Sequence, residues 1–398
     1  MLIIEKKDIS AYLVLTIFTM RSLCLTLNNT VGSNLPRLLI PIILIFLINA
    51  DVRENGISTH SLLVILFYIV QIPATILISK DYISYYSYAI EAIGISYLCS
   101  RYIREDMMRA IRIIRNYMTF LVIVNIIIQM LFPAGIDVGS STGGMYLFGI
   151  RIEFSAPYVL MIFCSLLYDA LLYDRLYLSR QSIVMFVICF ISLMAQQIST
   201  GIVAMSLIFV FIVLAYTFKG FKRINYWILL LIALVVTISI VVLQTSNFDF
   251  ILNILGENET FSNRIYIWGS AIQQFLQRPI WGHGITQRGA FEITYASGWV
   301  GDTRPAHNQY LHVLYEGGIV AFIAYISFFL NLGNKIKKVD ESHITFLIKM
   351  VVFVFCVMSI TEIQSQRVWI FFAIAISFNV LEVLSRQDER GLLTEMEE

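Results

Sequence analysis

The chain has 398 residues, of which 58% are hydrophobic and only 14% charged, with a mean hydropathy of +0.77. Soluble domains carry roughly 25% charged residues, so this composition excludes a soluble globular fold and indicates an all-α polytopic membrane protein. The net charge of +1 says nothing about partners, because charge is sorted by side of the membrane, but no basic face interleaved with aromatics lies outside the loops assigned below to the cytoplasm, which argues against nucleic acid as a ligand.

Lys6 and Lys7 precede the first apolar run, as in a signal peptide, but Arg21 interrupts that run and no small-x-small cleavage site follows at a suitable distance. An uncleaved first span is expected. Apolar stretches able to cross, or nearly cross, a hydrocarbon layer of about 30 Å recur over 9–27, 36–50, 61–79, 83–99, 117–134, 156–174, 182–198, 201–218, 225–243, 313–333, 343–361 and 367–385. This predicts about twelve transmembrane helices.

Most of the 28 lysines and arginines then fall on one side: Lys6 and Lys7, Arg53, the Arg101–Arg115 cluster, Arg175 and Arg180, Lys219–Arg223, Lys335–Lys338, Arg386 and Arg390. The short opposite turns are nearly free of basic residues. By the positive-inside rule both termini are cytoplasmic. Three regions follow: 1–243 with spans one to nine, 244–306 as a large extracytoplasmic loop carrying catalysis and substrate binding, and 307–398 with spans ten to twelve and a cytoplasmic tail.

Two outward segments exceed a simple turn. One, 135–155, is rich in glycine and serine and holds Arg151. The other is the 244–306 loop, and long loops tend to carry function. Within it Ser262 is placed to cap a helix from about Asn263 to Gln277, with Ile265, Trp268, Ile272, Phe275 and Leu276 near one face, and Pro279 ends it. That pattern predicts an amphipathic helix lying on the membrane surface. A Pro279-Ile280-Trp281-Gly282-His283-Gly284 turn follows. Pro305 suits the first turn of the tenth span, which places His307 in that turn, where the positive end of the helix dipole disfavours imidazolium. A neutral imidazole there can accept a proton from a substrate hydroxyl.

No H-E-x-x-H, G-x-S-x-G, P-loop or outward Asp-x-Asp occurs, and the long loop is poor in carboxylates, which argues against a carboxylate metal site. The cysteines (Cys24, Cys99, Cys164, Cys189 and Cys356) all fall in apolar stretches without a C-x-x-C pair, so they read as small buried hydrophobes. The outward side carries instead Arg151, Arg264, Arg278, Arg288 and Arg304, against the topological bias. Arginine's rigid fork suits phosphate and diphosphate. Trp281, Tyr295 and Trp299 are either sugar-stacking residues or members of the interfacial aromatic belt. Arg21, Glu91, Gln196, Gln197, Lys349, Glu362 and Arg367 fall within or at the ends of spans, where lone charges are costly. They form ion pairs or line a cavity.

Arg264…Trp268 on an amphipathic helix, Pro279-Ile280-x-Gly282-x-Gly284, and His307-Asn308-x-x-Leu311…Glu316-x-Gly318 leading into a span resemble, in order and topology, the signature of the O-antigen ligase and O-antigen polymerase superfamily. Arg151 before Phe154 and Pro157 resembles a further element of it. The resemblance implies an inverting membrane glycosyltransferase needing no metal or other cofactor. It transfers a glycan from undecaprenyl diphosphate on the outer face of the bacterial cytoplasmic membrane. His307 takes the catalytic position and Arg264 that of a diphosphate-binding arginine. Asn308, Glu316, Trp268 and Arg278 are implied as sugar-binding or orienting residues, Glu316 as an orienter of His307 or a partner of a sugar hydroxyl. Where many members carry Ser-Arg between spans seven and eight, this chain has Ser199-Thr200-Gly201, so Arg151 or Arg304 is assigned as the second diphosphate-binding arginine.

That departure, and the lack of anything marking a lipid A core partner, favours a polymerase of O-antigen or capsular repeat units over a ligase. A flippase or other secondary transporter is the alternative outside the family, although no half-repeat of the kind such folds show is apparent. The lipid bilayer and the carrier-linked oligosaccharide are the expected partners, with a chain-length regulator and a flippase of the same pathway as further candidates.

Overall fold

A computed structural model describes residues 8–23, 29–51, 56–136, 144–245, 260–286, 290–294, 300–340 and 342–397. Each of the twelve expected stretches contains a helix: α1 (Ile9–Thr19), α2 (Asn29–Asp51), α3 (Thr59–Ser79), α4 (Tyr82–Glu105), α5 (Met107–Leu131), α6 (Ser155–Tyr173), α7 (Arg180–Ala195), α8 (Ser199–Thr217), α9 (Tyr226–Thr245), α11 (Gln309–Ile336), α12 (His343–Met358) and α13 (Trp369–Glu397). Between α9 and α11 lies α10 (Thr260–Gln277), the amphipathic helix. It begins ahead of Ser262, so that serine stands inside the first turn instead of capping it. Among the described residues, six helices are long and apolar enough to cross a membrane by themselves, and five more are apolar but shorter. The first helix ends well short of its expected limit, at Thr19.

Local chemistry sets many of these ends. Asp81, Asp106 and Ser179 each accept a hydrogen bond from a backbone N–H in the first turn of α4, α5 and α7, and Ser342 with Thr345 forms a reciprocal capping box on α12. Pro279 stands two residues beyond the end of α10, as expected of a residue that cannot continue a helix.

Helices α6 and α13 occupy the centre, most of each buried, with α4 packed along α13 and α5 along α6. Gly94 lets α1 press on α4, since a Cβ there would stand 2.4 Å from the Phe18 ring. Around this centre, Leu38, Phe46, Leu77, Met130, Ile191, Phe209, Leu231 and Ile323 are exposed. So much outward apolar surface has no place in water and suits hydrocarbon. Cys99, Cys164, Cys189 and Cys356 are free and buried, as their apolar surroundings suggested, whereas Cys24 lies outside the described residues.

The described part of the segment between α9 and α11 holds more structure than the single helix and turn expected of it. Strands β3 (Ala290–Thr294) and β4 (Val300–Pro305) pair antiparallel, with Ala290 opposite Pro305 and a register shift between Glu292 and Thr294. A shorter hairpin, β1 (Met145–Tyr146) with β2 (Gly149–Ile150), precedes the 3-10 turn Arg151–Phe154 that leads into α6. The alternation Phe291-Glu292-Ile293-Thr294 is a strand signal, but with only a few residues on each side it is easily lost inside a loop.

A candidate active site on the broken helix α11

Helix α11 is not continuous. Gly318 has φ 63° and ψ −165°, and the helix splits there into Gln309–Gly317 and a longer second half. Backbone groups freed by a break inside a membrane need partners. The Pro279–Gly284 turn supplies them: Ile319 N–H donates to the Pro279 carbonyl at 2.8 Å, His283 N–H to Tyr315 at 2.9 Å, and Gly284 N–H to Glu316 at 2.7 Å. The three glycines of the signature are all points of backbone contact. A Cβ on Gly318 would stand 2.3 Å from the Ile280 carbonyl oxygen, one on Gly282 2.6 Å from the Glu316 backbone, and one on Gly284 2.7 Å from the Ala74 carbonyl oxygen. The His283 ring stacks on Tyr315 at 4.9 Å and reaches the Gln274 carbonyl at 2.7 Å. The next residue but one, Ile285, docks on the π-helical turn of α3, donating its N–H to Thr75 Oγ1 and accepting at its carbonyl from Ser79 Oγ. The turn is thus wedged between α3 and α11.

Above the break, the start of α11 corrects the sequence expectation. Pro305 closes β4 instead of opening the helix, and His307 lies outside it, left-handed at φ 47°. Asn308 is the cap, its Oδ1 accepting from Tyr310 N–H at 3.0 Å and Leu311 N–H at 3.1 Å, while its Nδ2 donates to the Ile360 carbonyl. Asparagine is a far stronger cap than proline is an N1 residue, and Pro305 has no N–H to lose at the last rung of a ladder. A non-glycine residue held left-handed is uncommon, although histidine adopts it more readily than most, and such residues gather at functional sites. His307 is half-buried. The residue before it is held from behind: Trp268 of α10 is fully buried and donates its indole N–H to the Ala306 carbonyl at 2.9 Å, in a cluster with Ile267, Ala271, Ile293 and Tyr315.

The same end of α11 is laced to the segment joining α12 and α13. Gln309 N–H donates to Ser359, and its Oε1 accepts from Gln364 N–H and Ser365 N–H. Beyond it, three of the costly span charges are paired. Arg367 grips Glu153 bidentately at 2.7 and 2.8 Å, and Arg21 meets Glu91 at 2.9 Å while donating to the Gln366 carbonyl. Glu316 is buried and paired, 3.2 Å from His312 Nε2, with the Gln366 amide 3.3 Å from the same nitrogen. Glu316 thus pairs with His312, its i,i+4 neighbour on the same face of the helix. His312 went unnoticed in the sequence, although a His–Glu pair four apart on a helix was there to be seen. Thr200, where many family members have arginine, lies 3.0 Å from Thr361 Oγ1 and 3.3 Å from Glu362 Oε1.

The other expected site residues distribute unevenly. Trp268 is buried behind Ala306, with no face free for a sugar. Arg151, on the 3-10 turn, and Arg278, in the turn after α10, are both exposed. Arg264 is placed on α10 and Arg304 on β4 by the backbone alone, and both side chains lie outside the described residues. Tyr295, Trp299 and Arg288 also lie outside them, whereas Trp281 is exposed beside the break.

The family model for O-antigen ligase matches residues 184–326, which spans α7 to the second half of α11 and takes in every signature element except Arg151. The match supports membership of the O-antigen ligase and polymerase superfamily, whose members are membrane glycosyltransferase-like enzymes. No curated protein matches the chain.

Proposed function

We propose, from the O-antigen ligase family domain and the unit it builds around α11, that this chain polymerises glycan repeat units on the outer face of the bacterial cytoplasmic membrane. The observation that carries this reading is the convergence of separated signature residues. Pro279–Gly284 interlocks with Glu316–Gly318 at the break in α11, Trp268 of α10 holds Ala306 just ahead of the same helix, and His307 beside it is left-handed. Fixing a catalytic group in a strained but over-determined backbone is what pre-organisation requires.

In the proposed reaction His307 accepts the proton of an acceptor sugar hydroxyl as that oxygen bonds to the anomeric carbon of the donor. The bond from that carbon to the carrier diphosphate breaks, and its electron pair leaves with the diphosphate. A single displacement of this kind inverts the anomeric centre. Arg264, with Arg151 or Arg304, neutralises the charge that develops on the leaving group, a role that needs no metal. Arg21 and Arg367 are less suited to it, since each already holds a carboxylate.

The ligase reading has the family's own description on its side. Purified protein supplied with undecaprenyl-diphosphate-linked repeat units decides between the readings. A ladder of products supports the polymerase. Transfer only when lipid A core is added supports the ligase. Movement of the carrier-linked glycan across vesicles without any new glycosidic bond would overturn both in favour of a transporter.

A further inference from the structure

At the end of the bundle away from His307, three separate stretches of chain meet around a cavity of about 320 Å³. Asp174, Arg175 and Leu176 follow α6, Lys222 and Arg223 close the 3-10 turn Lys219–Arg223 between α8 and α9, and Ser342 and His343 open α12. The direction of the helices fixes its place. α6 starts just after Glu153, the partner of Arg367, and α8 starts with Thr200 beside Thr361; each then runs 19 residues to this cavity. α12 runs back from it to Ser359, which holds Gln309. Nineteen residues rise roughly 28 Å, close to the ~30 Å thickness of the hydrocarbon layer, so the cavity lies at the opposite face of the membrane.

The lining is unbalanced in charge. Arg175, Lys222 and Arg223 border the same space, and among the described residues none of them forms an ion pair with a carboxylate. The one carboxylate in the lining, Asp174, is 98% exposed and stands 3.7 Å from His343 Nε2 instead. Three cations gathered in this way repel one another, and an anion between them turns that repulsion into attraction.

The surroundings say which anion. Tyr173, Tyr177 and Tyr216 gather at the same level: the first two rings are 4.3 Å apart, Arg175 lies 5.4 Å over the Tyr177 ring, and Tyr216 Oη donates to the Leu176 carbonyl at 2.9 Å. Tyrosines, with an apolar body and a polar tip, mark headgroup depth. Leu172 and Phe218, at the ends of α6 and α8, are exposed and carry the hydrocarbon-facing surface up to the rim. The cavity therefore borders headgroups on one side and acyl chains on the other.

We propose that this cavity binds a phosphate group, that of an anionic glycerophospholipid in the leaflet away from His307. The guanidinium forks of Arg175 and Arg223 pair with the phosphate oxygens, and Lys222 adds a point charge. A zwitterionic lipid brings its own ammonium into a lining that already holds three cations, so the same field disfavours it. The site is independent of the transferase reading, which concerns the other face.

The test titrates the purified full chain, in a neutral detergent, with phosphatidylglycerol or phosphatidylcholine of identical acyl chains, and reads retained lipid by native mass spectrometry. Wild type is expected to hold phosphatidylglycerol at least about tenfold more tightly. Arg175→Gln/Lys222→Gln/Arg223→Gln should lose that preference. Lys335→Gln/Lys337→Gln/Lys338→Gln removes as much charge from the end of α11, outside the lining, and should keep it. If the first variant does not purify as a monodisperse protein, Lys222→Gln/Arg223→Gln takes its place with the same expectation. A second arm separates a soluble source: millimolar inorganic phosphate or pyrophosphate, added to lipid-loaded wild type, should leave the lipid bound. Displacement by either would give the cavity to a soluble phosphate and overturn the lipid. Equal retention of both lipids by wild type would overturn the site for want of anion selection. Equal loss of preference in the two triple variants would overturn it in favour of diffuse surface charge.

Discussion

Gly318 touches Ile280: a Cβ on the glycine would lie 2.3 Å from the isoleucine carbonyl oxygen, at a backbone φ of 63°. This one contact joins the turn after α10 to the break in α11, and it explains why glycine and not merely a small residue stands there. Gly318→Ala brings both a backbone clash and the strain of a positive-φ, extended-ψ backbone that is essentially confined to glycine, roughly 1–3 kcal/mol. The variant is expected to melt several degrees lower in detergent and to lose transfer activity beyond what its folded fraction accounts for. Gly220→Ala, where nothing lies within 4 Å, is the control and should leave both unchanged.

Trp268 contributes in a way its aromatic character conceals. Trp268→Phe keeps most of the buried ring and removes the donor to Ala306, leaving a carbonyl unpaired beside His307, at a cost of about 1–3 kcal/mol. Since the lesion is to the backbone that aims His307, kcat should fall more than KM rises. A change in KM alone would place Trp268 in contact with substrate instead.

Asn308→Ala removes a cap worth roughly 0.5–2 kcal/mol and also the tie to Ile360. Asn308→Asp keeps the capping oxygen and loses only the donor, so it should recover a large part of the melting temperature. If both variants melt alike, the cap is not what holds the start of α11.

The charged residues inside the helical bundle were visible in the sequence, but their pairing was not. Arg21, Glu91, Glu153 and Arg367 stand far apart along the chain, and nothing local says which carboxylate meets which guanidinium. The same holds for the cationic cavity, whose walls come from three separate stretches of chain. Elements carried by periodicity or by a single strong residue were legible: the twelve apolar stretches, the amphipathic helix, and the end of α10 before Pro279. Where two local signals competed, as Pro305 and Asn308 did for the start of α11, the stronger cap won.

Removing one member of a half-buried ion pair leaves the other partly desolvated. Glu153→Ala is expected to destabilise by about 1–3 kcal/mol, whereas Glu153→Met combined with Arg367→Met should be closer to wild type than either single change. Thermal melts of the full cycle check this. A double variant as unstable as the sum of the singles would show that the two side chains act separately.

His307 is the centre of the proposed reaction, and its backbone offers an unusually clean probe. Asparagine tolerates the left-handed conformation at least as well as histidine, so His307→Asn preserves the turn while removing the imidazole. Purified His307→Asn should melt within a few degrees of wild type, bind the carrier-linked repeat unit, and form no product ladder, a rate loss of at least about 10²–10⁴-fold for a missing general base. A ladder of unchanged length and rate from that folded variant would contradict the assignment of His307 as the catalytic base.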